Sequence, residues 1–229
     1  MKENNPLVVI GGMGPQASAE VHRRLVRMAM SSSDVSFPEI IVLSLPIPDF
    51  ISNTNNIKVA LEVIINEGHK ATVFNPSITM MACNTAHILF DEINQKLPNL
   101  RMRSLIDAVV SQVIHRNIKK IGLLASPTTI KTKLYQNSFE QADVICVLPE
   151  TNDLSKLERI IRSTIADNLT ISHKQMLHEI VQKLLADGCD AVLLGCTELP
   201  VAFGEIKDPR ILDSIQVLCE TMLDEHNKN

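Results

Sequence analysis

Two cysteines of this chain, Cys83 and Cys196, occur in similar local sequences about half a chain apart. Each follows an apolar run typical of a buried strand and precedes residues able to hydrogen-bond and open a helix, Asn84-Thr85 and Thr197-Glu198. A helix N-terminus stabilises a thiolate and lowers the pKa of a thiol. Both cysteines are therefore candidates for chemistry, although a free cysteine more often serves only as a packing residue.

Two facing thiols suit proton transfer at a carbon acid. A thiolate on one face of the carbon removes a proton, and a thiol on the other face returns one, which inverts the configuration. Backbone N–H groups at the two helix N-termini could bind a carboxylate and the charge that develops on deprotonation. We therefore expect Cys83 and Cys196 to face one another across a shared cleft.

Short β-rich runs alternate with helical periodicities along the chain, which predicts an α/β fold with parallel sheets flanked by helices. The pattern restarts near the middle: the offset between Pro15 and Pro127, each after a strand and turn, agrees within one residue with that between the cysteines. This indicates an internal duplication, although repeated strand-turn-helix units could match by chance. Ligands bind at the carboxyl ends of such strands, where both cysteines lie. A further short strand is predicted over Arg103–Ile106.

The composition excludes several classes of function. The net charge is −4, no Lys/Arg cluster stands out, and the chain has one Tyr and no Trp, which disfavours nucleic-acid binding. No apolar run approaches a membrane span, and the N-terminus does not resemble a signal peptide, so we expect a cytoplasmic protein without membrane contact. Five cysteines without a Cys-x-x-Cys pair favour neither a disulfide framework nor a metal site.

Several further residues could act beside the cysteines. The glycine-rich turn Gly11–Pro15 lacks the order of a dinucleotide-binding loop, so it either lines a small-ligand cleft or is only a structural turn. Glu198 could tune or orient the thiol of Cys196, or could be a solvated or capping residue. His87 could take part in proton transfer or be a satisfied helix histidine. Asp49 follows a strand end and could form the rim of the cleft.

Four segments in this order and spacing resemble the aspartate/glutamate racemase family, specifically its aspartate racemase branch. They are Gly11–Pro15, Pro46–Asp49, Met81–His87 and Gly195–Pro200, and together they extend over nearly the whole chain. The two cysteine motifs are the specific part of this resemblance, whereas the glycine turn alone is not.

The resemblance implies two similar α/β domains, residues 1–104 plus 212–229 and residues 105–211, with the active site between them. It implies cofactor-independent racemisation of an amino acid, without pyridoxal phosphate, and frequent homodimers. Cys83 and Cys196 would be the catalytic acid and base. The residues matching the family's substrate site are Met13, Asn84, Thr85 and Thr197, with support expected from Gly12, Asp49, Phe50 and Glu198.

Two positions depart from the aspartate racemase pattern. Phe50 follows Asp49 where the resemblance implies an arginine, and Ile165 stands where it implies a lysine. Both replacements remove a cation that would grip a side-chain carboxylate, and an unpaired carboxylate is costly to bury. We therefore expect an amino-acid racemase whose best substrate is not aspartate.

Two other functions are compatible with the same residues. One is a cysteine-dependent decarboxylase or cis–trans isomerase of small diacids, which turnover of malonates or maleate would reveal. The other is a non-catalytic small-molecule sensor, which is suggested by the missing cations and would not need acidic thiols.

Overall fold

Runs rich in Val, Ile and Leu form the strands, because such side chains pack well on the two covered faces of a parallel sheet. The structure is a computed structural model, which describes residues 5–31, 37–49 and 54–228. The strands within these ranges are β1 Leu7–Gly11, β2 Ile40–Ser44, β3 Ile78–Met81, β4 Lys120–Leu124, β5 Ile145–Val147, β6 Ala191–Leu194 and β7 Ile211–Asp213.

Helices follow nearly every strand of the described residues. The α-helices are α1 Pro15–Ser31, α2 Ile57–Ala71, α3 Phe90–Lys96, α4 Leu105–His115, α5 Pro127–Lys131, α6 Leu134–Gln141, α7 Thr151–Ile165, α8 Ile171–Ala186, α9 Glu198–Phe203 and α10 Ser214–Lys228. Short 3₁₀ helices occur at Thr54–Asn56, Thr72–Phe74, Thr85–Leu89 and Pro98–Leu100. None of the helices in the described ranges is long and apolar enough to cross a membrane.

The strands form two sheets with the orders β2-β1-β3 and β5-β4-β6-β7, and all pairings are parallel. The predicted α/β fold with two parallel sheets is confirmed. The first three strands of each half lie in the same spatial order, as a duplicated fold would have them. Cys83 follows β3 by two residues and Cys196 follows β6 by two residues, so the cysteines occupy equivalent places in the two sheets.

The C-terminal segment connects the two sheets. β7, which includes Leu212 and Asp213, pairs with β6 in the second sheet. α10 begins directly afterwards and packs against α1, α4 and β3, so the last helix covers the first sheet. This return holds the two halves together at the end where the cysteines lie, since Ser214 at the start of α10 contacts the Cys83 motif.

The strand predicted over Arg103–Ile106 is wrong. Only an isolated bridge between Met102 and Thr79 forms there. The Ser104 side chain accepts a hydrogen bond from the backbone N–H of Asp107 and caps α4, so the chain turns into a helix at Leu105.

The turn after β1 needs glycine for two separate reasons. Gly12 has a φ of +92°, and a Cβ there would lie 2.1 Å from the carbonyl oxygen of Leu45. Its N–H donates to Ser18 Oγ at 2.9 Å, which ties the turn to the start of α1. This close approach of β1 to the loop after β2 shapes the floor of the cavity described below.

We expect Gly12→Ala to destabilise the protein far more than Gly204→Ala. Gly204 also has a positive φ, of +82°, but has no atom within 4 Å of the Cβ position. Gly204→Ala should therefore cost only backbone strain, about 1–3 kcal/mol. Gly12→Ala adds a backbone collision and should lower the free energy of unfolding further. Urea unfolding of both variants measures the difference, and equal losses would contradict a steric role for Gly12.

Candidate active site

The ends of β3 and β6 bring the two cysteine motifs into contact. Thr197, next to Cys196, has its hydroxyl 3.3 Å from the carbonyl oxygen of Ala82, the residue before Cys83. The thiols are close enough for a negative charge on Cys83 to raise the pKa of Cys196. Both cysteines are buried, with 4% and 3% of their surface exposed. The parallel topology thus brings together two thiols that are distant in sequence.

A cavity of about 250 Å³ opens beside Cys83. It is smaller than typical drug-binding pockets, and its size suits a ligand as small as one amino acid. Cys196 is not part of its wall. The wall consists of Gly12, Met13, Gly14, Pro15, Ile47, Pro48, Asp49, Cys83, Arg162 and Ile165.

A larger groove of about 1050 Å³ lies elsewhere, along α1 and α10. It contains neither Cys83 nor Cys196, and its charged side chains include mutually paired ones such as Glu20 with Arg24. The smaller cavity is therefore the candidate active site. Among the residues that the structure describes, no cluster of three or more His, Cys, Asp or Glu could hold a metal ion.

Glu198 is the carboxylate nearest to Cys196. The thiol of Cys196 donates a hydrogen bond to Glu198 Oε2 at 2.9 Å, while Oε1 accepts none from the described residues. Burial raises the pKa of Glu198, and the Cys196 thiol and nearby N–H groups, including that of Gly14, offset this only partly. Glu198 is 1% exposed, so it is not the solvated side chain that was one alternative from the sequence.

Burial also controls the two thiols. It raises the pKa of Cys83 to about 12, with the negative charge of Glu198 as the next cause. The N–H groups of Thr85 and Ala86 favour the thiolate, as expected at a helix start, but they do not outweigh burial. The pKa of Cys196 is raised for the same two reasons. The expectation of a lowered thiol pKa is wrong, because burial prevails and both groups are thiols at neutral pH.

His87 bridges two backbone segments. Its Nδ1 lies 2.9 Å from the carbonyl oxygen of Cys83, and its Nε2 accepts a hydrogen bond from the N–H of Leu105 at 2.9 Å. The ring proton must then be on Nδ1, which donates to Cys83. The ring stacks on Phe90. Since both nitrogens are occupied, the geometry supports a satisfied histidine that positions the Cys83 turn, not a proton carrier.

The side chain of Asn84 is held from both ends. Its amide nitrogen donates to Ser214 Oγ at 3.2 Å, and its oxygen accepts a hydrogen bond from the Tyr135 hydroxyl. Ser214 in turn donates to the carbonyl oxygen of Leu194, at the end of β6. Asn84 therefore connects the two halves of the fold, and sequence reasoning missed its partners Tyr135 and Ser214.

Thr85 has a comparable hydroxyl network. Its Oγ1 lies 2.8 Å from Oγ of Ser126, in the turn after β4, and 3.1 Å from Oγ1 of Thr129, in α5. These contacts occupy the side chain of Thr85, and neither Asn84 nor Thr85 is part of the cavity wall. This contact could have been predicted from the sequence, because the Ser126-Pro127 turn corresponds to the turn before Pro15 in the internal duplication.

Arg162 is a cation that sequence reasoning did not identify. It lies on α7, one helical turn before Ile165, and both residues line the cavity. Arg162 pairs with Asp49 across the cavity and with Glu158 on its own helix, each at 3.0 Å. Asp49 is thus at the rim, where the sequence predicted it. Phe50 lies outside the described residues.

Comparisons with known proteins agree with this architecture. A family model described as Asp/Glu/Hydantoin racemase matches residues 10–222. The broad specificity amino-acid racemase RacX of Bacillus subtilis is 21% identical over 218 residues, which are 93% of this chain and 94% of RacX.

Solved structures show the same fold. The chain is similar to PH1733, an aspartate racemase homologue from Pyrococcus horikoshii, with a TM-score of 0.79 and 25% identity over 97% of this chain and 99% of that one. It is also similar to the Picrophilus torridus aspartate racemase, with a TM-score of 0.80 and 22% identity over 97% and 94% of the two chains.

His87 should make the protein sensitive to moderate acid. Burial lowers the pKa of His87 from 6.5 to about 4, so the folded state takes up its proton later than the unfolded state. The free energy of unfolding should therefore fall as the pH drops from about 6.5 towards 4, by up to roughly 3 kcal/mol. Urea unfolding at several pH values measures this slope. In His87→Gln the slope over this interval should be shallower; an unchanged slope would contradict the assignment.

Proposed function

This chain belongs to the Asp/Glu/hydantoin racemase family, and we propose that it is a cofactor-independent amino-acid racemase with Cys83 and Cys196 as opposing acid and base at Cα. One observation carries the proposal: the cysteines follow equivalent strands of two sheets, and their motifs are in direct contact through Thr197 and Ala82. Neither Cys146 nor Cys219 has such a place, since one lies within β5 and the other within α10.

The first step must generate a thiolate. In our proposal Glu198 takes the proton of Cys196 along the existing 2.9 Å hydrogen bond, which leaves a Cys196 thiolate beside a neutral carboxyl group. Burial disfavours both charged forms, so moving the proton between them keeps the number of buried charges constant. The ammonium group of a bound amino acid would further stabilise the thiolate.

Inversion follows from the two thiols. The Cys196 thiolate takes the Cα proton, and the electron pair is delocalised into the substrate carboxylate. The Cys83 thiol then delivers its proton to the opposite face of Cα, so that Cys83 ends as the thiolate and Cys196 as the thiol. For the other enantiomer the roles are reversed. The N–H groups of Thr85 and Ala86, which favour the Cys83 thiolate, support this second state.

Backbone groups would hold the substrate carboxylate. The turns at Asn84-Thr85 and at Thr197 follow strands and present N–H groups near the thiols, as an anion site requires. Met13 forms part of the cavity wall and would pack against the side chain of the substrate. The side-chain hydrogen bonds of Asn84 and Thr85 keep the turn after Cys83 rigid. A rigid turn helps to hold the substrate carboxylate in line with both thiols.

Replacing either cysteine with serine should abolish racemisation. A serine hydroxyl is a far weaker acid than a thiol, so Cys83→Ser and Cys196→Ser should each lose at least about a hundredfold in turnover. Cys146→Ser is the control, because Cys146 is outside the site, and it should retain activity. The measurement is proton–deuterium exchange at Cα in a mixture of all amino acids, followed by mass spectrometry. Maleate and malonate are added to detect the alternative isomerase or decarboxylase activity. Each of the two variants should retain exchange for at most one enantiomer of the substrate. Equal entry of deuterium at Cα of both enantiomers would contradict the two-base mechanism.

Glu198→Gln should change the exchange rates of the two substrate enantiomers by different amounts. Exchange that starts from Cys196 should fall by at least about tenfold, because the proton acceptor of this thiol is lost. Exchange that starts from Cys83 should fall less, and its pH profile should shift to lower pH, because the negative charge of Glu198 raises the pKa of Cys83. Initial exchange rates of D- and L-substrate across pH measure both effects. Equal losses for both hands without a pH shift would reduce Glu198 to a packing role.

A further inference from the structure

The cavity has a buried reacting end and an exposed end. Cys83 is almost fully buried, whereas the side chains of Arg162 and Asp49 are 44% and 48% exposed. An amino acid with its Cα at Cys83 would therefore direct its side chain past the middle of the cavity towards Asp49 and Arg162. This deduction rests on the proposed function, which places Cα beside Cys83.

The rest of the cavity wall is largely apolar. Met13, Ile47, Pro48 and Ile165 contribute these side chains. Such walls stabilise a hydrocarbon chain by removing it from water. The substrate side chain would thus have an aliphatic stem.

The exposed end carries more negative than positive charge. The guanidinium of Arg162 is shared by the carboxylates of Asp49 and Glu158, each 3.0 Å away. The sequence has no Lys or Arg between Arg27 and Lys58, so the loop after β2 adds no cation. Ile165 is uncharged as well.

These charges discriminate between substrates. A side-chain carboxylate could reach Arg162 only by competing with Asp49 and Glu158, which would place three carboxylates around one guanidinium. An ammonium or guanidinium group could instead pair with Asp49 and bring the cluster to neutrality. Like charges in contact disfavour a bound group, whereas opposite charges select it.

We propose that the enzyme acts preferentially on amino acids with a long aliphatic side chain that ends in a cation, such as lysine, ornithine or arginine. Asp49 binds the terminal cation. Arg162 is a positioning residue that holds the Asp49 carboxylate at the rim, and its side-chain hydrogen bonds to Glu158 and Asp49 keep it in place.

The first test compares substrates on the wild-type enzyme. Rates of Cα proton–deuterium exchange are measured for lysine, for norleucine, which has a similar stem without the ammonium group, and for aspartate and glutamate. Lysine should exceed norleucine and both acidic amino acids by at least about tenfold in kcat/KM. A preference for aspartate or glutamate, removed by Arg162→Gln, would overturn the proposal and make Arg162 a carboxylate anchor.

The second test compares two variants that each remove one carboxylate from Arg162. Asp49→Asn changes a cavity residue, whereas Glu158→Gln changes a residue that is not part of the cavity wall. Asp49→Asn should raise KM for lysine by about tenfold or more, with kcat and the norleucine rates little changed. Glu158→Gln also removes one negative charge but leaves the Asp49 carboxylate in place, so it should raise KM for lysine clearly less, by about threefold at most. Equal effects of the two variants would mean that only the overall charge matters and would contradict a binding role for Asp49.

Failure of this inference differs from failure of the proposed function. Absence of exchange with every amino acid would reject the racemase itself. Exchange that occurs but favours acidic side chains, or is indifferent to side-chain charge, would reject only the role of Asp49.

Discussion

The candidate active site is built around one buried carboxylate, Glu198, which bonds to the thiol of Cys196 and acts electrostatically on that of Cys83. Glu198, Cys83 and Cys196 are each less than 5% exposed, and their pKa values are all raised mainly because water is excluded. In such surroundings a single negative charge is tolerated far better than two. The site can therefore hold one anion that moves among three groups, which is the state a two-base proton transfer requires.

The surrounding structure holds the buried groups Glu198, Cys83 and Cys196 in fixed relative positions. Parallel strands place both cysteines at the same kind of sheet end, and short polar contacts join the two halves there. Asn84, Ser214 and Leu194 form one connection, and Thr85 with the turn after β4 forms another. His87 fixes the Cys83 turn from behind through two backbone contacts. Each of these polar groups is satisfied, so together they give the active site a defined geometry without exposing it to water.

Much of this was accessible from the sequence because local patterns carry it. Strand and helix periodicity predicted the parallel α/β fold, and the two cysteine motifs predicted that Cys83 and Cys196 follow the ends of strands. The short strand at Arg103–Ile106 was wrong because a cap at Ser104 prevailed over β propensity. The lowered thiol pKa was wrong as well, because a helix N-terminus can be seen in a sequence while the degree of burial cannot.

By itself, then, the sequence determined the fold class, the equivalent positions of Cys83 and Cys196 after two strands, and the absence of the two expected cations at Phe50 and Ile165. Only the tertiary structure decided that Glu198 bonds to Cys196, that Asn84 is held by Tyr135 and Ser214, and that Arg162 faces Asp49 across the cavity. The physical reason is how far apart in the sequence the interacting residues lie. Motifs and periodicities arise from neighbours along the chain, whereas charge pairing and burial depend on residues that folding brings together from distant segments.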